Sequence, residues 1–473
     1  MSGEDTDRII SELRAENALL RRQLAEALRK IAELTERLNQ NSGNSSRPPS
    51  SDQAAPTPLV QKKKRRKGRK PGGQPGHQGH QRELVPVSAI APEKLHIVRP
   101  HRCSACRHAL TGTDTEPWRH QVWEAPEVKP EISEWQMHEL LCRFCGVRTR
   151  AELPDGVPLN GYGPRWVATV ALLTGAYHLS KRFVVDLMGD VLGAQMSLGS
   201  VTACERQASQ AVAESVEQAR EHLRNQGIKH ADESSWFEGP TRQKVWLWVA
   251  TTASVTVFLI HSSRGGDVAR ELLGSAFGVL VSDRWSAYNW WPLMWRQICW
   301  AHLERHFTSF TEASDPDAQR IGRALLRHHR RLFNLWHRVR DDTLKRSSFQ
   351  TYASVIRRRV RKLLERGEIC DHRKTAGTCA EILKLESAMW TFVRVDGVEP
   401  TNNHGERAIR PGVIWRKICF GTHSVEGSRF VERMLTVVHT LKQQRRNALR
   451  FVTESVAGMR SGQPGPSLLP AAA

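Results

Sequence analysis

The first forty residues carry apolar side chains at a seven-residue spacing, with charged residues between them. Eight residues fill the two seam positions of this pattern: Leu13, Asn17, Leu20, Leu24, Ala27, Ile31, Leu34 and Leu38. Such spacing is typical of a coiled coil of about four heptads, and one polar residue in an apolar seam fixes register and strand number. The pattern predicts a self-associating, leucine-zipper-like coiled coil over residues 1–40. A solitary amphipathic helix packed on its own protein is the alternative.

Residues 41–95 lack this periodicity and are rich in Asn, Ser, Pro and Gly, which predicts a disordered linker. Five consecutive cations inside it are candidate phosphate ligands: Lys62, Lys63, Lys64, Arg65 and Arg66. A flexible basic arm of this kind would bind DNA without reading its sequence, and its affinity would fall with salt. A solvated tether is the alternative.

Apolar runs in residues 156–226 predict a helical module that either packs on the next domain or binds DNA. Strand patterns begin after this module. Apolar stretches at 227–232, 244–251 and 255–260 predict three strands, and the short turn between the last two predicts an antiparallel meander. A helix at 265–277 and a fully buried strand at 278–283 follow. This order, with acids on the first and fourth strands, is how a ribonuclease-H-like fold begins.

The second half of the chain is mostly helical in pattern. Residues 311–395 are strongly basic and short of strand signals, which predicts an all-helical insertion between the first part of a mixed α/β core, 227–310, and its last part, 396–460. The Pro-containing tail, 461–473, is predicted to be disordered. The fold class expected is multidomain α+β: a coiled coil, a zinc-binding domain at 96–155, and a ribonuclease-H-like catalytic core interrupted by the helical insertion.

Composition narrows the possible partners. The 473 residues carry a net charge of +21, and the excess is clustered in 62–70 and 320–366, which indicates a polyanion, most plausibly nucleic acid. No apolar stretch approaches the length of a membrane span and no signal-peptide core is present, so a cytoplasmic, nucleoid-associated protein is expected, with no membrane partner.

Four of the nine cysteines form two Cys-x-x-Cys pairs: Cys103, Cys106, Cys142 and Cys145. Each pair can bind one side of a tetrahedral Zn²⁺, and a site closed by four thiolates is structural rather than catalytic. The pairs are separated by 142 − 106 − 1 = 35 residues, so a small sheet or loop is expected between them. Redox dithiols and unrelated buried cysteines are the alternatives.

Three acids stand in a context that favours phosphodiester chemistry. Asp232 follows the first predicted strand, Asp283 ends the buried fourth strand, and Glu406 opens a C-terminal helix. Cutting or joining a phosphodiester uses two divalent ions about 4 Å apart, and Mg²⁺ or Mn²⁺ takes hard carboxylate oxygens. Glu233 should face the other side of the strand and is the weaker ligand candidate. A helix cap or a salt bridge is the alternative for each acid alone.

The segment around Glu406 adds polar and basic groups. Asn402 and Asn403 precede Glu406 by one helical turn, and four cations follow as candidate phosphate ligands: Arg407, Arg410, Arg416 and Lys417. An ordinary polar helix start is the alternative. Cys299 and His302 could ligate metal, but with no partner pair nearby in sequence, a buried pair that braces the insertion is favoured, and contact of His302 with scissile DNA is a further hypothesis.

Seven sequence features together resemble a known family, the insertion sequence 66 family of bacterial DDE transposases. The linker segments NSGNSSRPPSSD (41–52) and RKPGGQPGH (69–77) are similar to its N-terminal signature, and the paired cysteines are similar to its zinc-binding domain. The blocks HADE (230–233), SDRWSAY (282–288) with CWAH (299–302), and NNHGERAIRP (402–411) resemble its catalytic blocks. Arg284 and Trp285 stand where the family commonly has Gly and Tyr.

The resemblance implies a DDE triad of Asp232, Asp283 and Glu406 on a ribonuclease-H-like core, with two Mg²⁺ or Mn²⁺ ions and a structural Zn²⁺. It implies a transposase that cuts at the element's terminal inverted repeats and joins the freed 3′ hydroxyls to target DNA. Companion proteins of the same element are possible further partners. The alternatives are a non-catalytic zinc and coiled-coil DNA-binding regulator derived from a transposase, and a nuclease that cuts without joining.

Overall fold

The computed structural model describes residues 3–41, 43–45, 82–158 and 161–470. The chain divides into two compact units, one of residues 1–52 with 130–473 and one of residues 53–129. The basic run from Lys62 to Arg66 lies outside the described residues, so its role as a DNA-binding arm stays a prediction. Among the helices of the described ranges, none is both long enough and apolar enough to cross a bilayer.

The heptad segment forms one continuous helix, α1 (Gly3–Leu38). Its seam leucines are open to solvent, with Leu20 54% and Leu24 61% exposed. Near its C-terminal end, Glu36 accepts hydrogen bonds from Ser314 N at 3.0 Å and lies 3.2 Å from Nε2 of His372, both in the predicted insertion. The helix is therefore held at one end while its apolar stripe stays uncovered within the single chain, and self-association remains a prediction.

The unit of residues 53–129 has little regular structure in its described part. Two short 3₁₀ turns, Val87–Ala89 and Pro92–Lys94, are followed by an isolated bridge between Arg102 and Ala109. Side chains supply much of its order, since Gln121 accepts from Val85 N and donates to Val85 O. Because the described backbone of this unit makes few strand-to-strand hydrogen bonds, the unit depends on hydrogen bonds from side chains such as Gln121.

The larger unit continues with a hairpin of two short strands, β1 (Glu139–Leu141) and β2 (Arg148–Arg150). Four helices follow as the sequence predicts: α2 (Pro164–Gly175), α3 (Lys181–Leu192), α4 (Leu198–Ala211) and α5 (Ala213–Arg224). Their buried residues belong to the same hydrophobic core as the central sheet. These helices therefore pack on the central sheet, and DNA binding by residues 156–226 stays a prediction.

A five-stranded mixed sheet forms the centre of this unit. Its strands and one intervening helix are β3 (Ile228–Glu238), β4 (Gln243–Thr251), β5 (Thr256–His261), α6 (Gly266–Leu273), β6 (Val279–Ser282) and β7 (Arg296–Ile298). The order across the sheet is β5-β4-β3-β6-β7, with β3, β4 and β5 antiparallel and β6 and β7 parallel to β3. The predicted meander and the predicted buried strand are both present.

Three details differ from the predicted elements. Strand β3 continues six residues beyond Asp232, because residues up to Glu238 pair with β4, so Asp232 lies within the strand rather than after it. Helix α6 ends at Leu273 because Gly274 adopts a positive φ of 71°, a conformation that favours glycine. Strand β7 has no counterpart in the prediction.

The C-terminal tail, predicted to be disordered from residue 461, is ordered up to residue 470. Leu468 is fully buried in the main core, and its carbonyl accepts a hydrogen bond from Gln444 Nε2 at 2.8 Å. Pro466 O accepts another from Ser215 Oγ. The prediction from proline content was wrong because a single apolar anchor and these carbonyls hold the segment on the core.

Between the sheet and the last core helices runs a helical region that starts at residue 300, eleven residues before the predicted start of the insertion at 311, and this region is called the insertion below. Its helices are α7 (Trp300–Thr311), α8 (Pro316–Arg340), α9 (Arg346–Glu368), α10 (Arg373–Lys384) and α11 (Thr391–Arg394). They enclose a second hydrophobic cluster, separate from the main core. The chain returns to the sheet through α12 (Asn403–Cys419), and α13 (Val425–Gln443) and α14 (Ala448–Ser461) complete the unit.

Candidate active site

Two of the three predicted acids come from neighbouring parallel strands. Asp232 lies within β3, and Asp283 directly follows β6, whose last residue is Ser282. The register of the two strands ends at His230 with Val281, an offset of 281 − 230 = 51 residues. Asp232 and Asp283 are also 283 − 232 = 51 residues apart, so a continuation of this register past its last pair would set them opposite each other on one face of the sheet.

The third acid enters from helix α12, which packs on β3 and β4. Glu406 is in the first turn of α12, and its side chain is 32% exposed. The approach is close because Gly412 faces Leu247, where an added Cβ would lie 2.2 Å from Leu247 Cδ2. The absence of a side chain at Gly412 therefore favours the close approach of α12 to β4.

Asn402 joins the elements that carry the acids. Its Nδ2 donates to Ala231 O of β3 at 2.8 Å, and its Oδ1 lies 3.2 Å from His230 Nδ1. Its backbone N–H donates to Cys299 Sγ at 3.2 Å. The side chain is buried and leaves no room beside it, because a Cβ on Gly405 would lie 2.8 Å from the Asn402 amide. Asn403, in contrast, is exposed.

Asp283 and Glu406 lie close enough to Asp232 to disfavour its charged form. Burial, with the negative charges of Glu233, Asp283 and Glu406, raises the pKa of Asp232 well above its usual range. Asp283 Oδ1 accepts from Trp285 N at 2.8 Å, which fixes the orientation of that carboxylate. Carboxylates that converge and repel in this way fit a divalent cation, because a cation supplies the positive charge that the cluster lacks.

Glu233 already has partners. Arg264 donates to its Oε1 at 2.6 Å through Nη2, and the Tyr288 hydroxyl donates to its Oε2, also at 2.6 Å. Arg264 in turn lies over the Trp285 ring, 3.8 Å from its centroid. Burial, followed by the charge of Asp283, still raises the pKa of Glu233 to about 7. Both oxygens are occupied by neighbouring side chains, which supports its ranking as the weaker ligand candidate.

Cys299 and His302 gain a partner that the sequence did not reveal. One donor atom each from Cys299, His302 and Glu406 lie within 4.8 Å of one another. His302 Nδ1 is 3.6 Å from Glu406 Oε1, and Cys299 Sγ is 3.9 Å from the same oxygen. The pair therefore lies beside the acids, and it also anchors the start of the insertion at α7.

The four cations of α12 separate into two kinds. Arg407, Arg410 and Lys417 are exposed, as phosphate ligands would be. Arg416 instead turns toward β3, where its Nη1 donates to Ser234 Oγ at 3.0 Å and also to Ser235. In this structure Arg416 holds α12 to the strand that carries Asp232, which is a positioning contact.

The insertion carries a cationic face. Arg327 and Arg331 of α8 and Arg359 of α9 are exposed, and they converge on His328. Burial first, and then the charges of these three arginines, lower the pKa of His328. Because α8 and α9 pack side by side, cations from two helices share one surface, which suits a row of phosphates.

The two Cys-x-x-Cys segments fold into turns of the same kind. In one, Cys103 N donates to His108 O and Arg107 N donates to Cys103 O; in the other, Cys142 N donates to Val147 O and Gly146 N donates to Cys142 O. In both turns the backbone N–H groups two and three residues ahead bond to the first sulfur and lower its pKa. Each turn thus stabilises a thiolate, the form that binds zinc.

Three groups near the acids were not found from the sequence. Arg264 and Tyr288 bind Glu233, and Arg296 donates to the carbonyl of Asp283 at 2.9 Å. Arg296 is fully buried, so burial lowers its pKa to about 10. Arg264 and Arg296 lie outside every sequence block quoted above, and Tyr288 ends the block SDRWSAY without any sign of its bond to Glu233. Their roles depend on which loop ends meet at the edge of the sheet.

Comparison with known families defines the class of protein. The model of the transposase IS66 family matches residues 161–429, which is 269 of the 473 residues and includes the sheet, the insertion and all three acids. The chain therefore belongs to the IS66 transposase family. The family assignment predicted from the sequence is thereby confirmed.

Two further matches extend the comparison. A family of unknown function (DUF6444) matches residues 4–83, which include the heptad segment. The chain is also similar to the uncharacterised protein y4qI of Sinorhizobium fredii, with 26% identity over 248 residues. That match covers 47% of this chain and 45% of y4qI, so the chain spans about half the length of this curated relative.

Proposed function

We propose that this protein is a DNA transposase of an insertion sequence, which cleaves strands at the ends of its element and transfers the 3′-hydroxyl ends to target DNA. The observation that carries the proposal is the convergence of Asp232 on β3, Asp283 directly after the parallel strand β6, and Glu406 on α12, because the charges of Asp283 and Glu406 add to burial in raising the pKa of Asp232. The sheet order β5-β4-β3-β6-β7, with three antiparallel strands and two parallel ones, supports a ribonuclease-H-like core.

Asp232, Asp283 and Glu406 would hold the divalent ions, Mg²⁺ or Mn²⁺. Bound there, the ions would activate the attacking water or DNA 3′ hydroxyl and stabilise the leaving oxygen. Asn402 sets the distance between Glu406 and β3, and Arg416 holds α12 against the same strand. Trp285 N orients the Asp283 carboxylate through its hydrogen bond. Each of these contacts fixes a ligand before DNA arrives, which favours catalysis by preorganisation.

DNA would be bound through its phosphates by exposed cations on two surfaces. One is formed by Arg407, Arg410 and Lys417 on α12, close to Glu406 in sequence. The other is the face of Arg327, Arg331 and Arg359 on the insertion. Both are expected to bind without reading base sequence, since arginine and lysine contacts to phosphate fix register and orientation only.

Two structural parts of the proposal lie outside the catalytic core. The cysteine turns at Cys103 and Cys142 support a structural Zn²⁺ role for the two pairs, because each directs backbone N–H groups to a thiolate. The exposed seam of α1 supports pairing of protomers through a coiled coil. A cation-rich surface together with protomer pairing suits a protein that holds two DNA ends.

The test is strand cleavage and joining on duplexes that carry the terminal repeats of the encoding element, with Mg²⁺. Asp232→Asn, Asp283→Asn and Glu406→Gln are each expected to abolish both steps while DNA binding persists. Glu426→Gln is the matched control, since Glu426 is also an acid in the first turn of a helix but is exposed and on α13. Full activity in any of the three variants would remove that residue from the triad.

The products separate the proposal from a simple nuclease. A transposase yields joined products in which the 3′ hydroxyl of the element is bonded to target DNA. A chain that only cuts would release ends and never join them. Absence of both reactions in the wild-type chain, with DNA binding intact, would refute the enzymatic proposal.

A further inference from the structure

The start of helix α7 brings a cysteine and a histidine together beside Glu406. Cys299 directly precedes α7, and His302 lies three residues ahead in the first turn of that helix. The backbone N–H of Asn402 donates to Cys299 Sγ at 3.2 Å, which holds the sulfur next to the start of α12. One donor atom from each of Cys299, His302 and Glu406 lies within 4.8 Å of the other two, and these are side chains of the types that bind metal ions.

A second observation points to a ligand between these side chains. His302 Nδ1 is buried and has no hydrogen-bond partner among the described residues. Its nearest acidic oxygen, Glu406 Oε1, is 3.6 Å away, which is longer than a good hydrogen bond. Leaving a buried ring nitrogen unpaired is costly, about 1–3 kcal/mol. A cation beside the nitrogen would satisfy it.

The spacing of the donors suits a small tetrahedral ion. Zinc bonds of about 2.0–2.3 Å place neighbouring ligand atoms about 3.3–3.7 Å apart. The observed separations are 3.6 Å from nitrogen to oxygen and 3.9 Å from sulfur to oxygen, and all three donors lie within 4.8 Å. Movements of an ångström or less would complete three bonds.

The identity of the donors selects the class of ion. Sulfur and imidazole nitrogen are preferred by Zn²⁺ and Co²⁺, whereas Mg²⁺ requires oxygen ligands. We propose that Cys299 Sγ, His302 Nδ1 and Glu406 Oε1 form a site for a zinc-class divalent cation, with a fourth position left for water. The site rests on the proposed function in one respect, since both use Glu406.

Binding would replace a proton. A cation that binds the sulfur displaces that proton to water, and the Cys–cation bond forms as the S–H bond breaks. No oxidation or reduction is involved. Because Glu406 Oε1 would be taken by this ion, zinc is expected to compete with Mg²⁺ for the same carboxylate.

The test measures metal binding by the full chain, first stripped of metal and then titrated with Co²⁺. The wild type is expected to bind one more equivalent than Cys299→Ser. The difference between their absorption spectra should contain a near-ultraviolet sulfur-to-cobalt band. The matched control is Cys204→Ser, which removes a cysteine that is also buried, but that lies on α4. Equal stoichiometry and equal spectra for wild type and Cys299→Ser would overturn the proposal.

Two further variants guard against misfolding of the serine variant. His302→Gln and Glu406→Gln each leave the thiol in place, and each is expected to lose the same equivalent of Co²⁺. Retention of that equivalent in both would also overturn the site. This test and the test of the proposed function can fail separately. If Glu406→Gln loses strand cleavage but binds as much Co²⁺ as wild type, only the zinc site is refuted. If wild type binds more Co²⁺ than Glu406→Gln but never cuts DNA, only the transposase proposal is refuted.

Discussion

The adjacent residues Asn402 and Asn403 provide a direct test of how the site is held together. Substituting Asn402 by alanine removes two side-chain contacts, to Ala231 O at 2.8 Å and to His230 Nδ1 at 3.2 Å. Both partners are buried. Each unsatisfied buried group costs about 1–3 kcal/mol, so the free energy of unfolding should fall by about 2–6 kcal/mol.

Asn403→Ala is the matched control, because the same substitution one residue away removes an exposed side chain. It should change the free energy of unfolding by less than about 0.5 kcal/mol. Chemical denaturation followed by tryptophan fluorescence measures the difference between the two variants. Trp300 and Trp236 are fully buried in the two hydrophobic clusters, so their emission reports on loss of each core.

The same pair should separate in DNA cleavage. Asn402 connects β3 to the start of α12, so its loss lets Glu406 move relative to Asp232, and a shift of about 1 Å can reduce a rate about 100-fold. Asn402→Ala is expected to lose most Mg²⁺-dependent cleavage under conditions where it is still folded, and Asn403→Ala to keep it. Equal midpoints of unfolding and equal cleavage for the two variants would refute this account of the site.

Three further predictions follow from charge and exposure. The folded state raises the pKa of Asp232, so the contribution of this group to stability is complete below about pH 4 and is lost as the pH rises through the folded pKa. Without divalent ions, the melting temperature should therefore fall less steeply with rising pH in Asp232→Asn than in wild type. Parallel curves for the two proteins would contradict this. Replacing Arg327, Arg331 and Arg359 by glutamine should lower the salt slope of DNA binding by about 2–3, measured by fluorescence anisotropy, and an unchanged slope would remove this face from the interface. In sedimentation, Leu20→Glu should dissociate oligomers while Leu19→Glu, an exposed leucine outside the seam, should not; the coiled-coil prediction fails if both behave alike.

Much of the sheet could be predicted because its strands carry continuous apolar runs. Strand β6 is buried along all four residues, and β4 and β5 are mostly buried, so their hydrophobicity is visible in the sequence. Strand β7 was not visible, since it begins with Arg296 and Gln297. Both are fully buried, and they bond to carbonyls of Asp283 and Met389. A buried polar strand has no hydrophobic pattern, because its burial depends on partners distant in sequence.

In the candidate site, too, some residues could be predicted from the sequence and others could not. The two aspartates could be predicted because each is attached to an apolar strand, and Glu406 because polar and basic residues surround it. The difference between buried Asn402 and exposed Asn403 could not be predicted, because two adjacent residues of the same type differ only in the neighbours that the fold places around them. The association of Cys299 and His302 with Glu406 was also hidden, because 406 − 302 − 1 = 103 residues separate the ligands.

The insertion leaves and rejoins the core at almost the same point. Trp300 N, at its start, donates to Pro400 O, at its end, over 3.0 Å. With both ends tied together, the length of the excursion has little influence on where Glu406 arrives. Even for a flexible loop, doubling the length costs only about 0.6 kcal/mol in closure entropy. Changes in length are therefore expected to be tolerated at the helix ends far from the sheet, whereas the segment around Met389, whose carbonyl accepts a hydrogen bond from Gln297 of β7, has to remain.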